Sequence, residues 1–329
     1  MAVGLLAGRA ARLALLLVGV AVACFALMEL SPVDPIDAYV GAEVTRIGPE
    51  QRALIAERFG LDEPPLVRFG LWAGRLLRGD LGTSTIYNAP VIGVIAQRFV
   101  ASLALLATAW ALSGLLGFGL GILAAVKRGS PVDRAIRWWA YTLASAPTFW
   151  VALLLLTTFS VTLGWTPVCC ATPVGIDPAD ATLWQRLHHL LLPAATLSLV
   201  GIAPITLHTR EQAIEILRSD FVTFARAQGE HGRGLVRHRL LRNVAVPALL
   251  LQFASLSELF GGAVLAEAVF NYPGLGQSTV QAGLRGDVPL LLGIALFTTL
   301  FVFAGNTLGD VVHGIVDPRV GSLHRGARP

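Results

Sequence analysis

Residues 99–126 read FVASLALLATAWALSGLLGFGLGILAAV, without one charged side chain. A helix needs about 20 apolar residues to cross about 30 Å of hydrocarbon, so this run is long enough to span a bilayer. It lacks the period-two alternation of a barrel strand. An open strand would leave backbone groups unpaired in lipid, which leaves a helix. Gly114, Gly117, Gly119 and Gly121 lie inside it. Their spacing resembles a nucleotide-binding glycine run, but no strand precedes them and the run is membrane-spanning. They read as small residues that let helices pack closely.

Working outward, similar apolar runs cover 10–30, 136–163, 190–209, 244–269 and 288–312. The fold class expected is all-α integral membrane, with about six transmembrane helices. Composition agrees: 54% of the residues are hydrophobic and only 14% charged, against about 25% charged in soluble domains. Pro147, Pro193 and Pro204 should kink their spans or mark their ends. Arg9 and Arg12 precede the first run, and Ala21-Val22-Ala23-Cys24 resembles a lipoprotein cleavage box. At about 18 apolar residues the run exceeds a signal-peptide core, so it reads as an uncleaved first helix.

Orientation follows from the basic loops. Segment 127–137 carries Lys127, Arg128, Arg134 and Arg137 against Asp133; segment 210–243 carries seven arginines, and the tail carries Arg319, Arg325 and Arg328. These lie on one side, cytoplasmic together with both termini. The net charge of +4 is modest and confined to such loops, which fits membrane orientation rather than a nucleic-acid face. Segments 31–98, 164–189 and 270–287 fall outside. Loop 31–98 is too long for a plain connector. Within it Pro49 to Phe59 and Leu66 to Leu77 read as short amphipathic helices, the second carrying Phe69, Trp72, Leu76 and Leu77. The expected division is 1–98 for the first helix and external loop, 99–313 for the transmembrane domain, and 314–329 for a cytoplasmic tail.

Segment 210–243 is the most informative part. Ser219-Asp220 is a helix start and Gly229 a stop. The residues between them form only about two turns, too few to be stable alone in water. Phe221, Phe224 and Ala225 fall at helical spacing as an apolar face, with Arg226 elsewhere. Gly232 and Gly234 permit a turn, and a basic helix, Leu235 to Arg242, leads to Asn243 and Pro247. The segment reads either as a solvated basic loop that sets orientation or as a docking helix for a cytoplasmic protein.

Asp220 to Pro247 resembles the EAA loop of ABC-importer permeases, whose helix inserts into a groove of an ATPase subunit. Ala225 and Gly229 match the second alanine and the glycine, and Val244-Ala245-Val246-Pro247 matches the ending. Thr223 and Phe224 replace the first Glu-Ala pair, and the spacing to Pro247 is longer. Both departures are similar to the dipeptide/oligopeptide/nickel branch, in which Gln228 often has a lysine counterpart. Gly60-Leu61-Asp62-Glu63-Pro64, Arg78 to Ser84, Asp133-Arg134, Pro147 to Trp150, Asn271 to Gly276, and Asn306 to Arg319 also resemble that branch.

The resemblance implies the type I importer permease fold in a bacterial inner membrane. It implies a second homologous permease subunit, two cytoplasmic ATPases and an extracytoplasmic substrate-binding protein, besides surrounding lipid. Asp220, Phe221, Phe224, Ala225, Arg226, Gly229 and Pro247 would couple to the ATPases. Asp62, Gly79, Asp80, Gly82, Tyr272, Pro273 and Gly274 would meet the binding protein. No G-x-x-x-x-G-K-[ST] occurs, so no cofactor is expected on this chain, and ATP and Mg²⁺ belong to the partners.

Pathway candidates are Glu258, Gln252, Ser257 and Asn306. An intramembrane carboxylate is expensive and normally faces a cavity or a partner. Glu258 reads either as a contact for a cationic substrate group or as a helix-packing residue. Glu267 reads as a loop anchor. Cys169-Cys170 and His188-His189 lack chelating spacing, so no metal site is expected. An ion-coupled secondary transporter would need no docking helix, and an intramembrane hydrolase lacks a G-x-S-x-G. Peptide and nickel or metal-chelate cargo both remain open.

Overall fold

Leucine, alanine and valine fill the long runs, and these become helices whose backbone bonds are made internally. The computed structural model describes residues 2–30, 36, 48–59 and 63–316. Asp62, the segment 60–62 and the tail from 317 lie outside them. In order come α1 (Ala2–Glu29), α2 (Pro49–Phe59), α3 (Pro65–Leu77) and a two-residue hairpin, β1 (Thr83–Ser84) with β2 (Ala89–Pro90). Then follow α4 (Val91–Val126), α5 (Pro131–Ser145), α6 (Thr148–Leu155, extended by a π-helical turn to Thr162) and α7 (Leu183–Leu217). After α8 (Asp220–Ala227), α9 (Gly232–Leu235) runs through a π turn, Val236–Leu241, into α10 (Arg242–Ala254). The chain closes with α11 (Leu256–Val269), α12 (Leu275–Leu284) and α13 (Val288–Val316).

Four described helices are long and apolar enough to cross a membrane, or six if each of two bent pairs counts as one span. The bent pairs fall within the third and fifth expected spans, and the first of them breaks at Pro147, where a kink or an end was expected. The third segment turns by 107° between Ser145 and Thr148. Ala146 is extended ahead of Pro147, because the proline ring disfavours helical backbone in the residue before it. The fifth segment bends by 50° at Ser255, whose hydroxyl donates to the Gln252 carbonyl. Pro193 and Pro204, by contrast, sit inside one continuous α7.

The chain divides into two units. The first is Met1–Ser102 with Pro273–Phe303. In it Ala21, Cys24 and Phe25 of α1 pack with Phe69, Trp72 and Leu76 of α3 and with Leu292 and Leu296 of α13. Leu77 is 90% exposed and does not belong to the apolar face expected of it. The hairpin is pinned by Asp287, which accepts from the Ser84 hydroxyl at 2.6 Å and the Ile86 N–H at 3.0 Å.

The second unit is Leu103–Tyr272 with Ala304–Pro329. Its centre is a close approach between α4 and α7. A methyl group built on Gly117 would lie 2.9 Å from Ile205, and one on Gly121 would lie 2.6 Å from the Thr209 Cβ and 2.8 Å from the Thr206 carbonyl. One on Gly114 would lie 3.1 Å from the Gln252 carboxamide. Gly119 faces open space, so three of the four glycines serve packing. Gly121→Leu should therefore cost about 1–3 kcal/mol by overpacking, and Gly119→Leu almost nothing. Thermal unfolding of the detergent-purified protein reads the difference, and equal midpoints would remove the close approach.

Candidate functional site

The segment after α7 forms the candidate site. Helix α8 begins where expected, but the Ser219 hydroxyl turns back to the Ile216 carbonyl at 2.6 Å and makes no side-chain cap. The end of α8 is built by the backbone. The Glu230 N–H donates to the Ala225 carbonyl and the Gly229 N–H to the Arg226 carbonyl, both at 3.0 Å. That is a Schellman ending, and it places Gly229 at φ +91°, a conformation that costs a residue with a Cβ about 1–2 kcal/mol.

Val222 and Ala225 are buried within the chain, while Phe221 is 45% and Phe224 65% exposed. This corrects the expected face. Ala225 packs inward and is not offered to a partner; the outward apolar side chains are the two phenylalanines. Asp220 and Arg226 are exposed, and Pro247 is half-buried inside α10. The loop following α8 is clamped by Arg239, whose guanidinium donates twice to Glu230, at 2.6 and 3.0 Å. These hydrogen bonds hold the Glu230 carboxyl below its usual range. Beneath the loop, Ile122, Ala125, Ala213, Ile214, Leu240 and Val244 form one apolar cluster.

A second feature braces this region, and the sequence reading did not pair its residues. Asp133, 1% exposed, accepts from Arg210 Nε at 2.7 Å and Nη2 at 3.0 Å. It also accepts the Gly129 N–H at 2.9 Å, and Arg137 stands 3.4 Å away. Arg210 is itself 8% exposed and holds Glu211 with its remaining amine. The only sequence signal was an acid isolated among basic residues at a span's edge. The pair ties the start of α5 to the last turns of α7, just before α8.

The pathway candidates separate into three places. Glu258 is exposed and lies in the first turn of α11, where the helix dipole favours a carboxylate. It lines a cavity of about 430 Å³ with Thr148, Pro204, Ser255, Gly261 and Gly262. Gln252 is 3% exposed and clasps α4 instead: its Nε2 donates to the Trp110 carbonyl at 2.6 Å, and Trp110 Nε1 donates to the Gln252 carbonyl at 2.9 Å. The Ser257 hydroxyl donates to Asn306 Oδ1 at 3.1 Å.

Among the outer candidates, Gly79 and Asp80 are exposed, and the Asp80 carboxylate accepts the N–H of half-buried Gly82 at 2.8 Å. Tyr272 and Gly274 are buried and Pro273 half-buried, so they build a turn and do not present a broad surface. Burial, with the nearby charge of Glu267 adding to it, pushes the Tyr272 phenol up to about 12. Glu267 is 1% exposed; its carbonyl accepts the Tyr272 N–H at 2.9 Å, which suits a loop anchor. Cys169 and Cys170 form a disulfide, a bond the sequence reading did not expect. His188 and His189 bond loop carbonyls.

Helices of this length and apolarity, with loops clamped at their ends, define an integral membrane protein. The chain belongs to the family of binding-protein-dependent transport system inner membrane components, which matches residues 117–322. It is 30% identical to the oligopeptide transport system permease protein AppB of Bacillus subtilis, over 93% of this chain and 95% of that protein. It is 36% identical to a putative peptide permease protein of Brucella suis, with the same coverage. A di/tripeptide transport system permease protein, DppB, of Pseudomonas aeruginosa is 33% identical, over 92% and 94%. The fold is similar to an inward-facing MetNI methionine ABC transporter, with TM-score 0.55 and 18% identity over 69% of this chain and 97% of that one. An amino acid ABC transporter gives TM-score 0.50 and 13% identity over 67% and 92%.

Asp133→Ala should destabilise the protein by about 3–5 kcal/mol, because it leaves Arg210 buried without its partner. The double variant Asp133→Leu with Arg210→Met should recover most of that loss. Denaturant or thermal unfolding of the three proteins decides it, and a harmless single variant would show that the pair carries no load.

Proposed function

We propose that this chain is the permease subunit of an ATP-driven importer of di- and oligopeptides, multi-pass in a bacterial inner membrane with both termini cytoplasmic. The peptide cargo is supported by the names of the relatives, which match over nearly the whole length. The partners are a second homologous permease, two cytoplasmic ATPases that bind ATP and Mg²⁺, and an external substrate-binding protein. No step of hydrolysis is assigned to this chain.

The observation that carries the reading is the short helix α8 with Phe221 and Phe224 facing out and Val222 and Ala225 held in. Two turns of helix displaying two phenylalanines to water are unfavourable unless a partner covers them. The groove of an ATPase subunit is the proposed cover. Its closure on ATP would push α8, and the Schellman end and the Glu230–Arg239 clamp make the loop stiff enough to pass the push onward. Coupling requires that the ATPase contact this helix differently in its two states. Asp133 and Arg210 link the same movement to α5. Glu258, at the cavity wall beyond the bend of α11, is the proposed contact for a peptide's amino terminus.

Phe221→Ala and Phe224→Ala should each weaken ATPase docking by about 1–3 kcal/mol, and Gly229→Arg should uncouple ATP hydrolysis from uptake while the protein still inserts. Reconstituted vesicles with the ATPases and binding protein measure both; unimpaired uptake by Gly229→Arg removes the docking account. Glu258→Gln should raise KM for peptides with a free amino terminus and leave amino-acetylated peptides unaffected. Equal changes for both substrates would remove Glu258 from the pathway.

A further inference from the structure

The segment between the π turn of α6 and α7 carries a bond that the transport reading does not use. Cys169 and Cys170, adjacent in sequence, are joined through their sulfurs. Both are half-buried, so a small reagent has a way in. The ring they close passes through a single peptide bond and holds Cys170 at φ +75°, in the left-handed region that residues with a Cβ avoid. The ring is also a point of attachment. The Cys170 N–H donates to the Phe270 carbonyl at 3.1 Å. His189 Nδ1 stands 2.9 Å from the Cys169 carbonyl and 3.3 Å from that of Cys170, and so donates to both.

The rest of the loop is seated separately. His188 Nε2 donates to the Trp165 carbonyl at 2.8 Å, and the Ser160 hydroxyl donates to the Pro167 carbonyl at 3.0 Å. Beyond Cys170 the chain is held locally, by the Ala179 N–H on Asp177 and by Arg186 on the Ala181 carbonyl. The bonds from Cys170 to Phe270 and from His189 to the ring's carbonyls are therefore the ones that depend on the ring. Phe270 closes α11 and immediately precedes Asn271-Tyr272, where Asn271 is also left-handed at φ +45°.

We propose that Cys169–Cys170 is a redox-active site for dithiol reductants, and that its oxidised form keeps this loop seated on Phe270. In the reaction a thiolate of the reductant attacks one cysteine sulfur, breaking the S–S bond and forming a mixed disulfide. The other cysteine sulfur leaves as a thiolate, and the reductant's second thiol then attacks its own sulfur in the mixed disulfide, releasing the attacked cysteine and leaving as a disulfide. Two electrons and two protons pass to the cysteine pair. Freed of the ring, Cys170 relaxes from the left-handed conformation, and its N–H no longer points at Phe270. The reductant fitting this site is a small dithiol or a dithiol–disulfide exchange protein. Disulfides persist in extracytoplasmic compartments; placing the loop there rests on the importer reading, whereas the chemistry of the pair does not.

The test uses the full chain with Cys24→Ser, which removes the one other thiol, in its complex with the partner subunits. Before reduction, neither maleimide nor phenylarsine oxide should react. After dithiothreitol both cysteines should take maleimide, and one phenylarsine oxide should bridge the pair and block that labelling. Hydrogen exchange at the Cys170 amide should rise about tenfold on reduction, while the Trp165 amide, held by Phe159, stays protected. The reduction needs no cysteine variant at the site, so misfolding of Cys169→Ser or Cys170→Ser cannot obscure it. Thiols that label fully without reductant in protein from an oxidising compartment overturn the proposal, as does unchanged Cys170 exchange after reduction. Failure of uptake in the oxidised complex counts against the importer reading alone.

Discussion

The second unit is organised around α7, and the constraint that stands out is how closely α4 approaches it. In lipid, apolar side chains gain little by leaving one apolar medium for another, so helices associate through tight van der Waals contact. Gly117 and Gly121 permit it, since a Cβ at either position would overlap Ile205 or Thr209. Gly201 of α7 repeats the device from the other side, where a Cβ would stand 3.0 Å from Ser113. This contact fixes the register of α7. Register decides that Arg210, one residue after Thr209, meets Asp133, and that α7 ends where α8 must begin.

The Asp133–Arg210 pair illustrates how a polar contact serves a membrane protein. Removing two charges from water is expensive, and mutual attraction with extra hydrogen bonds offsets the cost only when the geometry is good. Here the carboxylate receives two of the three guanidinium nitrogens and a backbone N–H. Such a pair adds little net stability over an apolar replacement, but losing half of it is severe. Its effect is to specify one arrangement of α5 against α7, close to the segment proposed to receive the ATPase.

The bends follow the same logic of local chemistry with distant consequences. Pro147 forces Ala146 out of helical backbone, so an apolar stretch of the right length becomes two helices at 107°. Ser255 lets α10 and α11 part by 50°, and the break creates a helix start beside a cavity. Glu258 occupies that start. A carboxylate that hydropathy places in the middle of a span is thus found at a helix N-terminus, exposed to a cavity and favoured by the dipole.

Hydropathy and punctuation fixed a good deal without any contact being known. The apolar runs, the short helices at 49–59 and 66–77, and the span of α8 between Ser219 and Gly229 could all be read from residue types, because helix period, proline and glycine act locally. The close packing at Gly114, Gly117 and Gly121 was legible too, though not the open position of Gly119. What the tertiary structure alone decided is which side of each element meets what. Ala225 turned inward and Phe224 outward, Gln252 joined Trp110 and left Glu258 by itself, Tyr272 was buried, Arg210 found Asp133 and Cys169 found Cys170. A sequence states which side chains a helix carries at each angle. Only packing against a neighbour gives that angle a direction, and nothing local names a neighbour 77 residues away in the chain, as Asp133 is from Arg210.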